Sequence, residues 1–365
     1  MHRRDFLETA GAIAAGAAFS ATDALSAPTS SAASWRTFEV TTHIEVLKPV
    51  GATRIWAPLA LIADTPFQKT LANTAHCENG SAKTMKKRSE GLEMAVAEFP
   101  AGAKPELTLV SRIATRDWTV DLASPRKVRA LASSEQNDCL HPTKLIPTSG
   151  IVQEKASQIT KGASTDIEKA RAIYEWIVEN TYRNPKTRGC GTGDIRFMLE
   201  SGDLGGKCAD LNALFVGLAR ASGLPARDVY GIRVAKSELG YRSLGASSED
   251  ITKAQHCRAE VYLSKYGWVP VDPADVRKVM LEEPPANRPI GDEMVKKARA
   301  RLFGSWEMNW MAYSYAQDVA LPGSSGKPVG FLMYPQAETA EGRLDSLAAD
   351  TFQYKITSKE ITPNA

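Results

Sequence analysis

The stretch GGKCADLNALFVGLARASGLPAR, from Gly205 to Arg227, constrains this chain more than any other. Leu211, Leu214, Phe215 and Leu218 recur at helical spacing, so a helix over this stretch must bury one face. Gly223 and Pro225 end it. The segments that follow, Asp228 to Val234, Cys257 to Leu263 and Trp268 to Val271, read as short strands. A helix followed by a sheet to pack on predicts an α+β fold.

Chemistry gathers at the start of that helix. Cys208 sits in its first turn, directly after Gly205, Gly206 and Lys207. The free backbone N–H groups of a helix start favour an anion and lower a thiol pKa. They can also hold an oxyanion. The two glycines let a substrate approach the backbone closely. A thiol nucleophile needs a base, usually histidine. Of the five histidines, His2, His43, His76, His141 and His256, only His256 lies beyond the cysteine helix. It opens the strand HCRAEVYL. Cys257, Ala259, Val261 and Leu263 share one face of that strand, and His256 points to the other. The next strand, GWVPVDP, folds back near Ser264 to Gly267. This places a residue between 272 and 275 opposite His256, so Asp272 and Asp275 both qualify as the group that orients the imidazole.

The rest of the chain is organised around this segment. Phe38, Val40, Thr42, Ile44 and Val46 alternate with polar neighbours, the period of a half-buried strand. Similar runs cover Thr53 to Leu59, Leu92 to Phe99 and Leu107 to Val120, and predict an antiparallel, sandwich-like domain over residues 34–122. His43 and His76 within it read as surface or packing residues. Residues 123–150 read as a connector. Helices are expected over Ile151 to Lys161 and Thr165 to Tyr182, the second opened by a capping box of Thr165 and Glu168. The Gly-rich loop from Arg188 to Asp194 lacks the lysine and flanking elements of a phosphate loop, and reads as a backbone-shaping loop. The catalytic-type core spans residues 151–300. Strand-like segments at Asn309 to Leu321, Val329 to Pro335 and Phe352 to Ile361 form a C-terminal addition over residues 301–365, packing on the core or the N-terminal domain. Trp306, Trp310, Tyr313 and Tyr315 read as core or edge packing, with lining of the acyl cleft as the sharper alternative.

The chain has 365 residues with 45 basic and 42 acidic side chains. That balance excludes nucleic acid and charged membrane surfaces as expected partners. The runs Lys86-Lys87-Arg88 and Lys296 to Arg301 read as solvated surface. Arg3-Arg4 precede Phe6-Leu7 and an Ala/Gly-rich apolar run too short to span a bilayer, for which about 20 residues are needed. Residues 1–33 therefore resemble a twin-arginine export signal and tail, and predict a periplasmic protein that does not span a membrane. Export makes disulfides possible. With five cysteines, Cys77, Cys139, Cys190, Cys208 and Cys257, two bridges plus a free Cys208 is one attractive count, and five reduced thiols the other. Cys190 and Cys257 read as structural and could bridge each other. Zinc on Cys190, Cys208, His256 and Cys257 is disfavoured. His256 and Cys257 point to opposite faces, and no paired C-x-x-C spacing occurs.

Residues from about Asp166 to Asp275 resemble the transglutaminase-like superfamily. The matching pieces are GGKCADLNALFVGLARASGLPAR, QHCRAEVYL and GWVPVDP. The resemblance implies a papain-like core with a Cys that opens a helix, a His that starts a strand and an Asp that precedes a proline. These fall on Cys208, His256 and Asp272. It implies thiol-dependent acyl transfer, by hydrolysis of a peptide, protein or cell-wall amide, with an amine-acceptor transglutaminase or a non-catalytic binding module as alternatives. No cofactor and no metal are expected. The glutamine that papain-type sites carry six residues before the cysteine is replaced here by Gly202. The second oxyanion donor is thus open among Tyr182, Asn184 and a backbone group.

Overall fold

In the computed structural model, which describes residues 34–362, the cysteine helix Cys208–Ala221 lies against a four-stranded antiparallel sheet. The strand order is Gly267–Val271, Gln255–Leu263, Ala226–Arg233, Trp310–Ser314. The helix is buried almost all round, because other helices cover the face turned away from the sheet. Leu211, Leu214, Phe215 and Leu218 join Cys257, Ala259, Val261 and Leu263 in one apolar core. Burying each large side chain of this kind contributes about 1.5–3 kcal/mol. The helix Asp166–Asn180 packs on the cysteine helix and begins with the expected capping box, in which Thr165 and Glu168 satisfy each other's backbone N–H groups.

Two further sheets form an antiparallel sandwich. One has the order Phe352–Glu360, Arg36–Val46, Glu106–Thr115, Gln68–His76. The other has the order Gly342–Arg343, Gln336–Thr339, Thr53–Pro58, Leu92–Phe99, Ser81–Lys87. Ile44, Ile55, Ala97, Leu107, Leu109 and Phe352 pack between them. The strand Phe352–Glu360 pairs along Arg36–Val46, from Val46 opposite Phe352 to Phe38 opposite Glu360. The end of the chain thereby closes the sheet that its beginning opens.

The structure departs from the sequence reading in several elements. Gln68–His76 and Ser81–Lys87 are strands that apolar alternation does not reveal, because each is a sheet edge whose side chains are exposed or half-buried apart from Gln68. Helices occupy Ser133–Leu140, inside the expected connector, and also Ile195–Ser201, Pro273–Glu282 and Glu293–Arg301. The run from Lys296 to Arg301 lies on the last of these. Only Trp310–Ser314 of the expected strand at 309–321 is a strand, and Val329 to Pro335 keeps a single bridge, Val319 to Val329. The expected export segment lies outside the described residues. No helix among the described residues is long and apolar enough to cross a membrane.

Candidate active site

Cys208 is the first residue of its helix and is 4% exposed. Its position is fixed from both sides. Gly205–Gly206 forms a short parallel ladder with Tyr182–Arg183, leaving no room for a side chain at 205, where a Cβ would meet the Tyr182 ring at 2.2 Å. The Asp210 carboxylate accepts N–H bonds from Thr192, Gly193 and Lys207 at 2.9, 2.9 and 3.0 Å. One carboxylate therefore ties the Gly-rich loop to the helix start. Gly191 has φ +95°, and a Cβ there would stand 1.8 Å from Asp210 Oδ2, so only glycine fits. The Ala209 N–H donates to the Cys190 carbonyl at 3.0 Å, and those of Asp210 and Leu211 return to Lys207. Among the described residues the Cys208 N–H has no acceptor, which leaves it as a donor toward a bound oxygen.

His256 arrives from the neighbouring strand. Its Nε2 lies 2.7 Å from Asp272 Oδ2 and 3.4 Å from Asp275 Oδ2. With Nε2 so engaged, Nδ1 is the ring nitrogen left to serve the thiol. The strand ladder ends at Ala259 opposite Val271, and there the chain turns into the helix Pro273–Glu282. Asp272 caps that helix, accepting the Asp275 N–H at 3.1 Å, with Pro273 preset for the first turn. Asn212, one turn along from Cys208, donates to the Cys257 carbonyl at 2.9 Å and to Asp272 Oδ1 at 3.2 Å. It locks helix, histidine strand and aspartate into one unit. Arg233 grips both oxygens of Asp275 at 2.7 and 2.8 Å.

These contacts set the charge states. Burial, and next Arg233, work against an imidazolium at His256, but Asp275 and Asp272 outweigh them and hold its pKa above the ordinary value. Burial and the neighbouring Asp275 raise the Asp272 carboxyl, whereas Arg233 overcomes burial at Asp275 and keeps it strongly acidic. The Cys208 thiol is held well below its usual range, first by hydrogen bonding from Cys190, then from Cys257, with His256 adding to both against burial. Cys190 is raised by its bond to Cys208 and by burial, and Cys257 by burial and its bond to Cys208. These opposite directions make Cys208 the most acidic of the three thiols.

Cys208 and His256 open into a cleft of about 750 Å³. Cys190, Arg233, Lys278 and Tyr334 line it as well, and the sequence reading assigned none of them to a site. Arg233 ends a strand that also carries Arg227 and Asp228, so no local sequence signal sets it apart. Lys278 lies one helical turn beyond Asp275, on the same face. Tyr334 carries no local signal. It belongs to the C-terminal addition and reaches Cys190 only through the fold.

Trp306, Trp310, Tyr313 and Tyr315 do not line this cleft. Trp310 stands behind the histidine strand, its indole N–H donating to the His256 carbonyl at 2.9 Å. Trp306 and Trp310 flank the buried Arg258 guanidinium, at 5.3 and 4.8 Å. All five cysteines are free thiols, which corrects the two-bridge count and the Cys190–Cys257 bridge. Cys77 packs against the sandwich core, while Cys139 lies on a helix beside the cysteine helix. The Cys190 thiol donates to the Gln255 carbonyl at 3.4 Å, and Cys190 and Cys257 both lie near enough to Cys208 to bias its ionisation. Tyr182 and Asn184 lie outside the cleft lining, with Tyr182 Oη bonded to Asp203 and Asn184 Oδ1 accepting the Lys186 N–H. Among the described residues, the groups with metal-ligand spacing are His43/Glu45/Glu106 and His256/Asp272/Asp275, and neither contains a cysteine.

A helix-borne cysteine beside a strand-borne histidine that leans on a carboxylate, over an antiparallel sheet, defines the α+β, papain-like class. The family model of the transglutaminase-like superfamily matches residues 153–273, which contain all three side chains. The chain belongs to that superfamily. An uncharacterised protein of Haemophilus influenzae is 32% identical over 344 residues, covering 89% of this chain and 91% of the relative. The solved structure of a protein from Cytophaga hutchinsonii, described as a candidate cysteine protease, is similar in fold. It has a TM-score of 0.53 and 14% identity, covering 91% of this chain and 93% of that one.

Proposed function

We propose that the protein is a thiol-dependent acyl-transfer enzyme that hydrolyses a peptide or amide bond, with Cys208 as nucleophile, His256 as acid–base and Asp272 as the orienting carboxylate. The observation that carries this reading is the His256 ring, pinned through Nε2 to Asp272 at 2.7 Å beside a thiol at a helix start. The Cys208 thiolate adds to the carbonyl carbon, and the negative oxygen of the adduct meets the Cys208 N–H. The His256 imidazolium gives its Nδ1 proton to the leaving amine as the C–N bond breaks, leaving a thioester. A water then loses a proton to His256 and attacks the thioester. The C–S bond breaks and the acid product departs. An amine in place of water would make the same site a cross-linker. The amino-terminal Arg3-Arg4 and apolar run support export to the periplasm.

Labelling tests the nucleophile without a known substrate. Iodoacetamide at about pH 6 should modify Cys208 faster than it modifies free cysteine, and His256→Ala should remove the advantage. Equal rates in wild type and His256→Ala would sink the reading. Hydrolysis and amine-incorporation assays run side by side then separate the two acceptors.

A further inference from the structure

The cleft beside Cys208 is far more basic than the chain that builds it. The whole chain carries 45 basic and 42 acidic side chains. The cleft is lined by Arg183, Arg188, Lys207, Arg233, Lys253 and Lys278, against the single carboxylate of Asp250. Part of this charge is answered from behind the wall. Arg233 is paired with Asp275 and Arg188 with Asp345 at 2.6 Å, while Arg183 shares its one partner, Glu282, with Lys278. The rest is not. Among the described residues, neither Lys207 nor Lys253 has a carboxylate within ion-pair distance. Lys278 has Glu282 at 3.8 Å and feels Asp275 as well, but Glu282 also serves Arg183 and Asp275 is gripped by Arg233.

Lys278 is the informative member. It lies on the helix that Asp272 caps, one turn after Asp275, and its side chain is 18% exposed. A lysine sequestered this far normally sits against a full partner. Burial, with Arg233 nearby, pushes its pKa down to about 8, and an arriving anion would oppose that shift. A cleft with low-dielectric walls and one sign of charge focuses its field on anions.

We propose that this cleft selects acyl substrates bearing a carboxylate close to the scissile amide, as in an acidic peptide, with that carboxylate seated on Lys278 and Arg183 and drawn in past Lys207. The proposal rests on Cys208 being the nucleophile. Within a peptide, the anion available to such a seat is a carboxylate, from an acidic side chain or a chain end.

Iodoacetate and iodoacetamide form a matched pair of probes. Each alkylates a thiolate with loss of iodide, and they differ only in carboxylate against carboxamide. The readout is the ratio of the iodoacetate rate to the iodoacetamide rate at Cys208, normalised to the same ratio on N-acetylcysteine amide. Wild type should give a normalised ratio of roughly 10 or more, collapsing toward 1 as salt approaches about 1 M. Lys278→Met or Arg183→Met, checked for a wild-type melting profile, should lower it several-fold. Lys83→Met, on the exposed sandwich edge, should leave it in place. A low-salt ratio near that of the model thiol overturns the proposal. So does a high ratio untouched in both Lys278→Met and Arg183→Met, which would credit the His256 imidazolium alone. A slow iodoacetamide rate by itself counts against the nucleophile and leaves the ratio readable, so the two failures are distinct.

Discussion

The sandwich and the helix-on-sheet core solve the problem of burial in opposite ways. The sandwich interior is apolar, with Ile44, Ile55, Leu107 and Phe352 meeting across two sheets, and ion pairs such as Arg36 with Glu360 lie at its surface. The core instead buries Arg233, His256, Arg258, Asp272 and Asp275 in one network of charged contacts. Buried charges gain little net stability over apolar packing, and removing one partner is costly. Their arrangement makes sense as placement. Arg233 holds Asp275, Asn212 and the helix start hold Asp272, and Asp272 holds the His256 ring. The sandwich is built for stability and the core for geometry.

This contrast can be broken by mutation. The largest effect is expected at the core pair. Asp275→Ala leaves the Arg233 guanidinium buried and unpaired, and should cost about 3–5 kcal/mol in denaturant unfolding. The counterpart in the sandwich is Glu360→Gln, which removes a partly exposed pair and should cost less than about 1 kcal/mol. Equal losses would erase the distinction drawn between the two regions.

The parts legible in the sequence are those with local signals. The capping box at Thr165, the glycines before Cys208 and the strand–turn–strand from Gln255 to Val271 each announce themselves within a few residues. The hairpin register brought His256 opposite positions 272–275, and the structure places both Asp272 and Asp275 there. The strands Gln68–His76 and Ser81–Lys87 went unseen because an exposed edge needs no apolar alternation. Tyr334 and the closure of the first sheet by Phe352–Glu360 depend on contacts between distant parts of the chain. The late aromatics were read for burial correctly, and the cleft-lining alternative failed because Trp306 and Trp310 pack behind the histidine strand on Arg258. The thiols resisted reading because a cysteine beside another cysteine can bridge it or donate a hydrogen bond to it, and spacing alone does not choose.

The central claim is that the fold places a thiolate on Cys208 beside an imidazolium on His256. A pH titration of thiolate absorbance, taken as wild type minus Cys208→Ala, tests it directly. Because the folded Cys208 pKa is depressed and that of His256 is raised, the ion pair should form well below the ordinary thiol value of about 8.5 and persist until pH climbs through the raised histidine pKa. Thiolate absorbance already present in weakly acidic buffer, and lost there in His256→Ala, is the predicted result. A Cys208 that stays protonated until about pH 8.5 or above, unchanged by His256→Ala, would contradict the account.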